Sequence, residues 1–196
     1  THSSLFKFFG NEFTNESKTL GLIYVVRDPR DIAISLSHHM NTGIDETIEF
    51  MLNKQASLVY SGTENLKANI KPPLMIGSWD LHLKSWSSIN APKLLIKYED
   101  LILKKKTIII NIINFFEKNY KYKFKNINEK INNILLTTDF DLLKKNEKKY
   151  GFKESVKNNS FFNVGKSNQW ITKLTKSQIS IIENNFKEEM KKLNYL

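Results

Sequence analysis

The hydrophobic pattern near the start of the chain predicts a buried strand followed at once by a helix. Residues 20–26 (LGLIYVV) form a continuous apolar run, which is typical of a parallel-sheet strand buried on both faces. Asp28 is a suitable N-cap and Pro29 suits the first helical position. Apolar residues then recur at helical spacing at Ile32, Ala33, Leu36 and Met40. Such strand–helix junctions are where open α/β sheets bind ligands, and the helix N-terminus favours an anion.

The rest of the chain alternates predicted helices with one more strand. That strand covers residues 94–97 (LLIK), and loops are predicted at 67–76 and at 155–169, a stretch rich in Asn, Ser and Gly. The predicted helices cover 44–60, 79–86, 100–116, 127–136, 140–149 and 174–193. Without a repeat or linker, this order predicts one α/β domain over residues 1–196.

Composition narrows the class of protein. With 40% hydrophobic and 26% charged residues, the 196-residue chain is expected to fold as a soluble, cytoplasmic protein. Its longest apolar run, residues 107–116, is too short to span a bilayer, so no membrane association is predicted. The absence of cysteine excludes disulfides and thiolate–metal sites, and the four histidines lack metal-binding spacing, so no metal is predicted.

The basic residues are almost all lysine. The formal net charge is +10, but the lysines are scattered along the chain beside many Asn and Ile, so no nucleic-acid partner is predicted. Only two arginines, Arg27 and Arg30, stand against 28 lysines. A planar guanidinium fork binds anions in a way that an ammonium cannot. Arg27 at the predicted strand end is therefore a candidate anion ligand, the alternative being a salt bridge to a neighbouring Asp.

Several segments of the chain together form a recognisable set. In chain order they are Thr1-His2, YVVRDPRDIAISLSHH, GSWDLHLKSW, KLLIKYEDL, TTDFDLLKKNEKKYGF, FFNVGKSNQW and IENNFKEEMKKLNYL. This set resembles the cytosolic-type sulfotransferases, in particular a bacterial-like member. Enzymes of this family transfer a sulfuryl group from 3′-phosphoadenosine-5′-phosphosulfate (PAPS) to a hydroxyl or amine, leaving 3′-phosphoadenosine-5′-phosphate (PAP). The resemblance implies a P-loop-NTPase-like, three-layer α/β/α fold with a parallel central sheet, and PAPS as co-substrate.

The resemblance also implies roles for individual residues. His2 matches the general base that takes the proton from the acceptor. The nucleotide-binding positions are a 3′-phosphate pair, Arg27 and Ser35, and an adenosine group, Tyr98, Thr138 and Phe140. Three more, Asn163, Val164 and Gly165, belong to the predicted loop at 155–169, called the late loop below. For Phe140 the alternative is core packing. Arg30 is interpreted as a solvated or partner-pairing charge.

The chain departs from the family pattern at several places. Asn163 and Val164 stand where the family commonly has arginine and lysine, and Asp139 stands where serine is common. The family's first strand and 5′-phosphosulfate loop precede the residue matching His2. We therefore expect this chain to be the C-terminal part of a longer enzyme and to have little transferase activity of its own.

Alternatives to the enzyme remain open at this stage. One is a catalytically impaired binder of 3′-phosphoadenosine nucleotides or polyanions, and another is a nucleotide kinase, although the chain has no GxxxxGK[ST] motif. The acceptor is expected to be a small molecule. Trp79, His82 and Trp86 line either an apolar pocket or a core. His38 and His39 are expected in packing or in a substrate pocket, and a homodimer is possible.

Overall fold

Residues 3–8, 10–58, 74–153, 155 and 159–196 are described by a computed structural model of the chain. The strands are β1 Lys7–Phe8, β2 Asn11–Glu12, β3 Leu22–Val26, β4 Ser57–Leu58, β5 Leu74–Met75 and β6 Lys93–Lys97. The helices are α1 Pro29–Met40, α2 Ile44–Leu52, α3 Trp79–Ser87, α4 Tyr98–Leu103, α5 Lys105–Tyr120, α6 Ile127–Thr137, α7 Phe140–Tyr150, α8 Trp170–Lys173 and α9 Lys176–Lys192. A short 3₁₀ helix covers Glu16–Lys18.

The described residues divide into two units. The first comprises the described parts of Thr1–Leu20, Ile44–Ala91 and Thr175–Leu196. The second comprises those of Gly21–Gly43 and Pro92–Leu174. Every nucleotide-binding residue that the resemblance implies falls within the second unit, so that unit positions the candidate site.

Two parallel strands organise the second unit. β3 pairs with β6 in a register that places Leu22 opposite Lys93 and Val26 opposite Lys97. Helices follow both strands directly, since α1 begins at Pro29 and α4 at Tyr98. The predicted α/β class with a parallel sheet is therefore confirmed, and both predicted strands are present.

The prediction that the first strand is buried on both faces is wrong. Burial alternates along β3, and Ile23 and Val25 are 38% and 52% exposed. Leu95 of β6 is 49% exposed. A strand with one covered face shows this period of two because successive side chains point to opposite faces. The uninterrupted apolar run therefore did not reveal which face is covered.

Packing of α5 against α6 forms a further core in the second unit. Ile109 and Ile113 of α5 are buried with Ile131 of α6. Phe124, Ile127 and Leu135 pack against this cluster. The predictions of helices at 127–136 and 140–149 are confirmed by α6 and α7.

The predicted helix over 100–116 is in fact two helices. The first, α4, starts at Tyr98, so Asp100 lies inside its first turn and does not cap it. The backbone leaves the helical region at Lys104, with φ −134° and ψ 36°, and α5 starts at the next residue. The break has no proline or glycine to signal it.

The first unit packs α3 and α2 against α9. Ile182, Phe186 and Met190 of α9 are fully or almost fully buried, and the Trp79 ring lies 5.2 Å from that of Phe186. Trp86 is buried and its Nε1 donates to the Ser3 carbonyl at 3.0 Å. These contacts place Trp79 and Trp86 in the packing of this unit.

Three predicted boundaries in the first unit need correction. The helix over 44–60 ends at Leu52, and a short strand follows at Ser57–Leu58; residues 59–60 lie outside the described part. The 67–76 loop contains strand β5, and its residues 67–73 also lie outside the described part. The closing helix begins at Lys176 because Thr175 caps it with Gln178 in a reciprocal pair of hydrogen bonds.

Within the described part of the chain, no helix combines the length and the apolar character needed to cross a membrane.

Candidate functional site

The site begins where the two parallel strands end. Because Val26 and Lys97 are opposite each other in the register, the next residues, Arg27 and Tyr98, leave the sheet side by side. The Arg27 guanidinium carbon lies 4.4 Å from the centroid of the Tyr98 ring. A cation over an aromatic face is attracted by its quadrupole, so the ring fixes the plane of the fork. Two predicted ligand residues are thus in direct contact.

The entry to α1 is built from charged side chains. The Asp28 side chain accepts a hydrogen bond from the Arg30 amide at 2.9 Å, which confirms the predicted N-cap. The Asp28 amide in turn donates to Glu99 Oε1 at 3.1 Å. The first turn of α1 is therefore tied to the first turn of α4.

A buried carboxylate at Asp31 joins this junction to the late loop. Its two oxygens accept hydrogen bonds from the backbone amides of Asn168, at 2.7 Å, and Trp170, at 3.1 Å. Arg27 Nη2 lies 3.8 Å from Asp31 Oδ2. Asp31 is fully buried, so these three groups supply the compensation that a buried charge requires. The salt-bridge alternative for Arg27 is thus present, together with the features that suit a ligand role.

Arg27 retains donors that the protein does not use. Its Nη2 donates to the Lys166 carbonyl at 3.0 Å, and its side chain is 14% exposed. Its Nε is buried and has no hydrogen-bond partner among the described residues. A guanidinium has five N–H donors, and a buried donor without a partner is costly. An anion bound at the fork would remove that cost.

Arg30 has a structural role. Its Nη2 lies 2.7 Å from Asp28 Oδ2, and its guanidinium carbon lies 3.8 Å from the centroid of the Trp170 ring. Arg30 is buried. The expectation of a solvated charge is therefore wrong and that of a partner-pairing charge is confirmed, because Asp28 and Trp170 enclose the guanidinium.

Ser35, of the 3′-phosphate pair, is exposed in α1, and its hydroxyl has no partner among the described residues.

The implied adenosine residues lie at helix ends. The Thr138 hydroxyl donates to the Ile134 carbonyl at 2.6 Å, which occupies its proton. Asp139 caps α7 by accepting from the Leu142 amide at 3.0 Å. Asp139 replaces the serine that is common in the family, but it still caps the helix with its side chain.

Gly165 is required by its surroundings. Its φ is +63°, and a Cβ there would come within 2.5 Å of the Phe140 ring. Any side chain would both adopt a strained backbone conformation and collide with that ring. Phe140 is half-buried and also makes an edge contact with Phe162, with centroids 6.0 Å apart. The loop and the start of α7 are therefore in direct contact.

The remaining late-loop residues are Asn163 and Val164, of which Asn163 is exposed and Val164 half-buried. The Asn163 carbonyl accepts from Lys144 Nζ at 2.7 Å. Sequence reasoning missed Lys144. Its only signal was its position in α7, one turn after Phe140, among lysines that look alike in sequence.

Glu147 was also missed, although it holds the start of the late loop. It accepts hydrogen bonds from the amides of Phe161, at 2.5 Å, and Phe162, at 2.9 Å, and from the hydroxyls of Ser155 and Ser160. Burial would raise the pKa of Glu147, but the four hydrogen bonds outweigh it and lower the pKa to about 2. The carboxylate form therefore organises this segment.

Of the three histidines expected at or near the site, the structure describes His38 and His39. His2, the predicted base, lies outside the described residues. His38 Nε2 lies 3.0 Å from the Ser160 carbonyl, and the His39 ring contacts the Phe161 ring edge-on at 5.9 Å. Both pack against the late loop. Among the described residues, no cluster of three or more His, Asp or Glu could hold a metal ion.

Comparison with known proteins identifies the family. The family described as "Sulfotransferase domain" matches residues 7–194, which is nearly the whole chain. The chain belongs to the sulfotransferase family. No curated protein sequence matches the chain.

Solved structures share the fold of this sulfotransferase-family chain. A crystal structure of mouse sulfotransferase SULT7A1 complexed with PAP matches with a TM-score of 0.67 and 21% identity, over 96% of this chain. A crystal structure of retinol dehydratase in complex with androsterone and inactive cofactor PAP matches with a TM-score of 0.58 and 21% identity, over 86% of this chain. The predicted P-loop-like sulfotransferase fold is confirmed. The chain spans 64% and 47% of the lengths of those two proteins.

Replacing Asp31 tests the central carboxylate. Asp31→Asn removes the charge facing Arg27. It also replaces one of the two accepting oxygens by an NH2 group, so one of the two backbone N–H donors faces another donor. We expect a loss of about 3 kcal/mol in the free energy of unfolding, measured by urea denaturation. Asp141→Asn, which changes an exposed carboxylate in α7, serves as the control and should cost under about 0.5 kcal/mol. Equal effects of the two substitutions would contradict this role.

The lowered pKa of Glu147 predicts a specific pH dependence. A carboxyl whose folded-state pKa lies below its ordinary value of 4.5 stabilises the fold fully above pH 4.5 and loses that contribution as the pH falls towards about 2. The stability difference between the wild type and Glu147→Gln, measured by urea denaturation at several pH values, should therefore shrink across this range. Glu188→Gln, which alters an exposed carboxylate in α9, should show little pH-dependent difference. A constant difference for Glu147→Gln would refute the assignment.

Proposed function

We propose that this protein is a PAPS-dependent sulfotransferase acting on a hydroxyl or amine of a small-molecule acceptor. In this proposal the second unit holds the 3′-phosphoadenosine part of the nucleotide. The observation that carries it is the Arg27 fork, which lies at the carboxyl ends of two parallel strands with a buried Nε lacking a partner in the described chain. PAPS supplies the sulfuryl group that is transferred.

The residues present fit a 3′-phosphate. Arg27 offers unused donors of a planar fork, and Ser35 in α1 offers an exposed hydroxyl without a partner in the described chain. Phosphate oxygens accept several such bonds at once, and charge-assisted bonds are about twice as strong as neutral ones. Asn163, Val164 and Gly165 would add backbone or side-chain donors from the late loop, because Arg27 already contacts that loop at Lys166.

The adenosine would be held by the remaining implied residues. The Phe140 ring is half-buried and fixed by Gly165 and Phe162, which leaves it suited to stacking on a base. Tyr98 and Thr138 are the other two contacts in this proposal. The PAP present in the two solved relatives supports the same nucleotide class.

His2 would act as the general base. A neutral alcohol is a weak nucleophile, and an imidazole near its ordinary pKa can take the proton of the acceptor as charge develops. The proposal for His2 rests on the Thr1-His2 motif and its place before the strand–helix junction. A cytoplasmic location and a homodimer stay predictions.

Binding without turnover is the second candidate function. It is favoured by Asn163 and Val164, which carry no charge in the late loop. Such a protein would bind 3′-phosphoadenosine nucleotides through Arg27 but transfer no sulfuryl group. Turnover, and not nucleotide affinity, separates the two candidates.

Calorimetric titration with PAP tests the nucleotide site. We expect the chain to bind PAP and to prefer it to adenosine 5′-monophosphate, and Arg27→Ala to weaken PAP binding at least tenfold, because charged hydrogen bonds are lost. Lys125→Ala removes one exposed charge from the loop between α5 and α6 and should leave binding unchanged. Equal affinity for the two nucleotides, or full affinity in Arg27→Ala, would overturn the proposed site.

His2→Ala tests the proton acceptor. In the protein at its full natural length, sulfuryl transfer from PAPS should fall by at least a hundredfold while PAP affinity is retained, because only the proton transfer is lost. Ser3→Ala, next to it, is the positional control. Unchanged turnover would remove His2 from the reaction, and absence of turnover in the unsubstituted protein would favour the binder.

A further inference from the structure

We propose that Lys144 of α7 is a second cation for the 3′-phosphate of the bound nucleotide. This inference rests on the proposed function and deepens it by assigning a residue that sequence reasoning did not select. It follows from three features of Lys144: its position at the late loop, its unused donors and its unbalanced charge.

Position is the first feature. Lys144 Nζ donates to the Asn163 carbonyl at 2.7 Å, and Arg27 Nη2 donates to the Lys166 carbonyl at 3.0 Å. The two carbonyls belong to residues three positions apart in the chain, a span of at most about 11 Å even when extended. The positive φ of Gly165 lies between them. A cation just after β3 and a cation of α7 therefore contact the same short segment.

Donor capacity is the second feature. An ammonium group has three N–H donors and no acceptor. One donor of Lys144 is directed at Asn163 and none is directed at another described residue. The side chain is exposed, so the remaining donors face water and are available to a ligand. The bond to Asn163 orders the side chain beforehand, which lowers the entropy lost when an anion binds.

Charge balance is the third feature. Arg27 lies 3.8 Å from the fully buried Asp31 carboxylate, so much of its charge is already compensated within the protein. Lys144 contacts a neutral carbonyl, and no described carboxylate lies within ion-pair distance of it. A dianionic phosphate at Arg27 therefore still needs positive charge. Lys144, held by its hydrogen bond to the Asn163 carbonyl, can provide it.

The neighbouring lysine provides a matched control. Lys145 is exposed on the same helix, and its ammonium group makes no hydrogen bond, ion pair or ring contact with any described residue. Lys144→Met and Lys145→Met each remove one positive charge and leave an unbranched side chain of similar volume. Only the first removes a charge fixed to the late loop.

The experiment compares the affinity of these variants for PAP and for adenosine 5′-monophosphate by calorimetric titration. We expect Lys144→Met to weaken PAP binding about tenfold and to leave the binding of the monophosphate unchanged, as the loss of one charged hydrogen bond predicts. Lys144→Gln should behave like Lys144→Met, Lys144→Arg should retain most of the affinity, and Lys145→Met should resemble the wild type. Unfolding midpoints establish that each variant is folded.

Each other outcome overturns the inference in a recognisable way. If Lys144→Met weakens both nucleotides equally, Lys144 only holds the loop in place. If PAP binding depends on Arg27 but is unaffected by Lys144→Met, the proposed function stands and Lys144 has no part in it. If the wild type shows no preference for PAP over the monophosphate, both proposals fail together.

Discussion

The structure of the candidate site depends on the burial of the Asp31 carboxylate. A charge taken out of water is tolerated only when hydrogen bonds and an opposite charge replace its hydration. Asp31 receives two backbone amides, from Asn168 and Trp170, and has Arg27 beside it. One side chain in the first turn of α1 therefore sets where the late loop ends and how the Arg27 fork is oriented. Arg30 reinforces the same closure because it stacks on Trp170.

Local signals in the sequence were sufficient to predict this junction. An apolar run, Asp28 as cap and Pro29 at the first helical position describe neighbouring residues, whose conformations are decided by short-range sterics and hydrogen bonds. The side-by-side placement of Arg27 and Tyr98 follows once the two strands pair in parallel. The partners of Asp31 could not be predicted in this way, because 137 residues separate it from Asn168 and no local pattern specifies which amide reaches it.

Several other features of the structure were not predicted, and for a different reason. Lys144 and Glu147 lie in a run of charged residues that looks like an ordinary solvated helix face. Their importance comes only from the loop that folds against them. The break at Lys104 has no proline or glycine, and the exposure of Val25 depends on what covers the sheet. Periodicity describes one element at a time, whereas these features are properties of pairs of elements.

Charge and geometry are divided between different residues in this site. Arg27, compensated by Asp31, adds little net charge but holds a planar array of donors in a fixed orientation, and such an array selects a phosphate by shape. The net charge of +10 comes from the other basic residues and acts over roughly a Debye length, about 10 Å at 0.1 M salt. Salt should therefore weaken the attraction of any anion to the protein more than it weakens the discrimination between anions at Arg27. Lys144, ordered like Arg27 but uncompensated, would add both a positive charge and a fixed donor to a phosphate bound beside the Asn163 carbonyl.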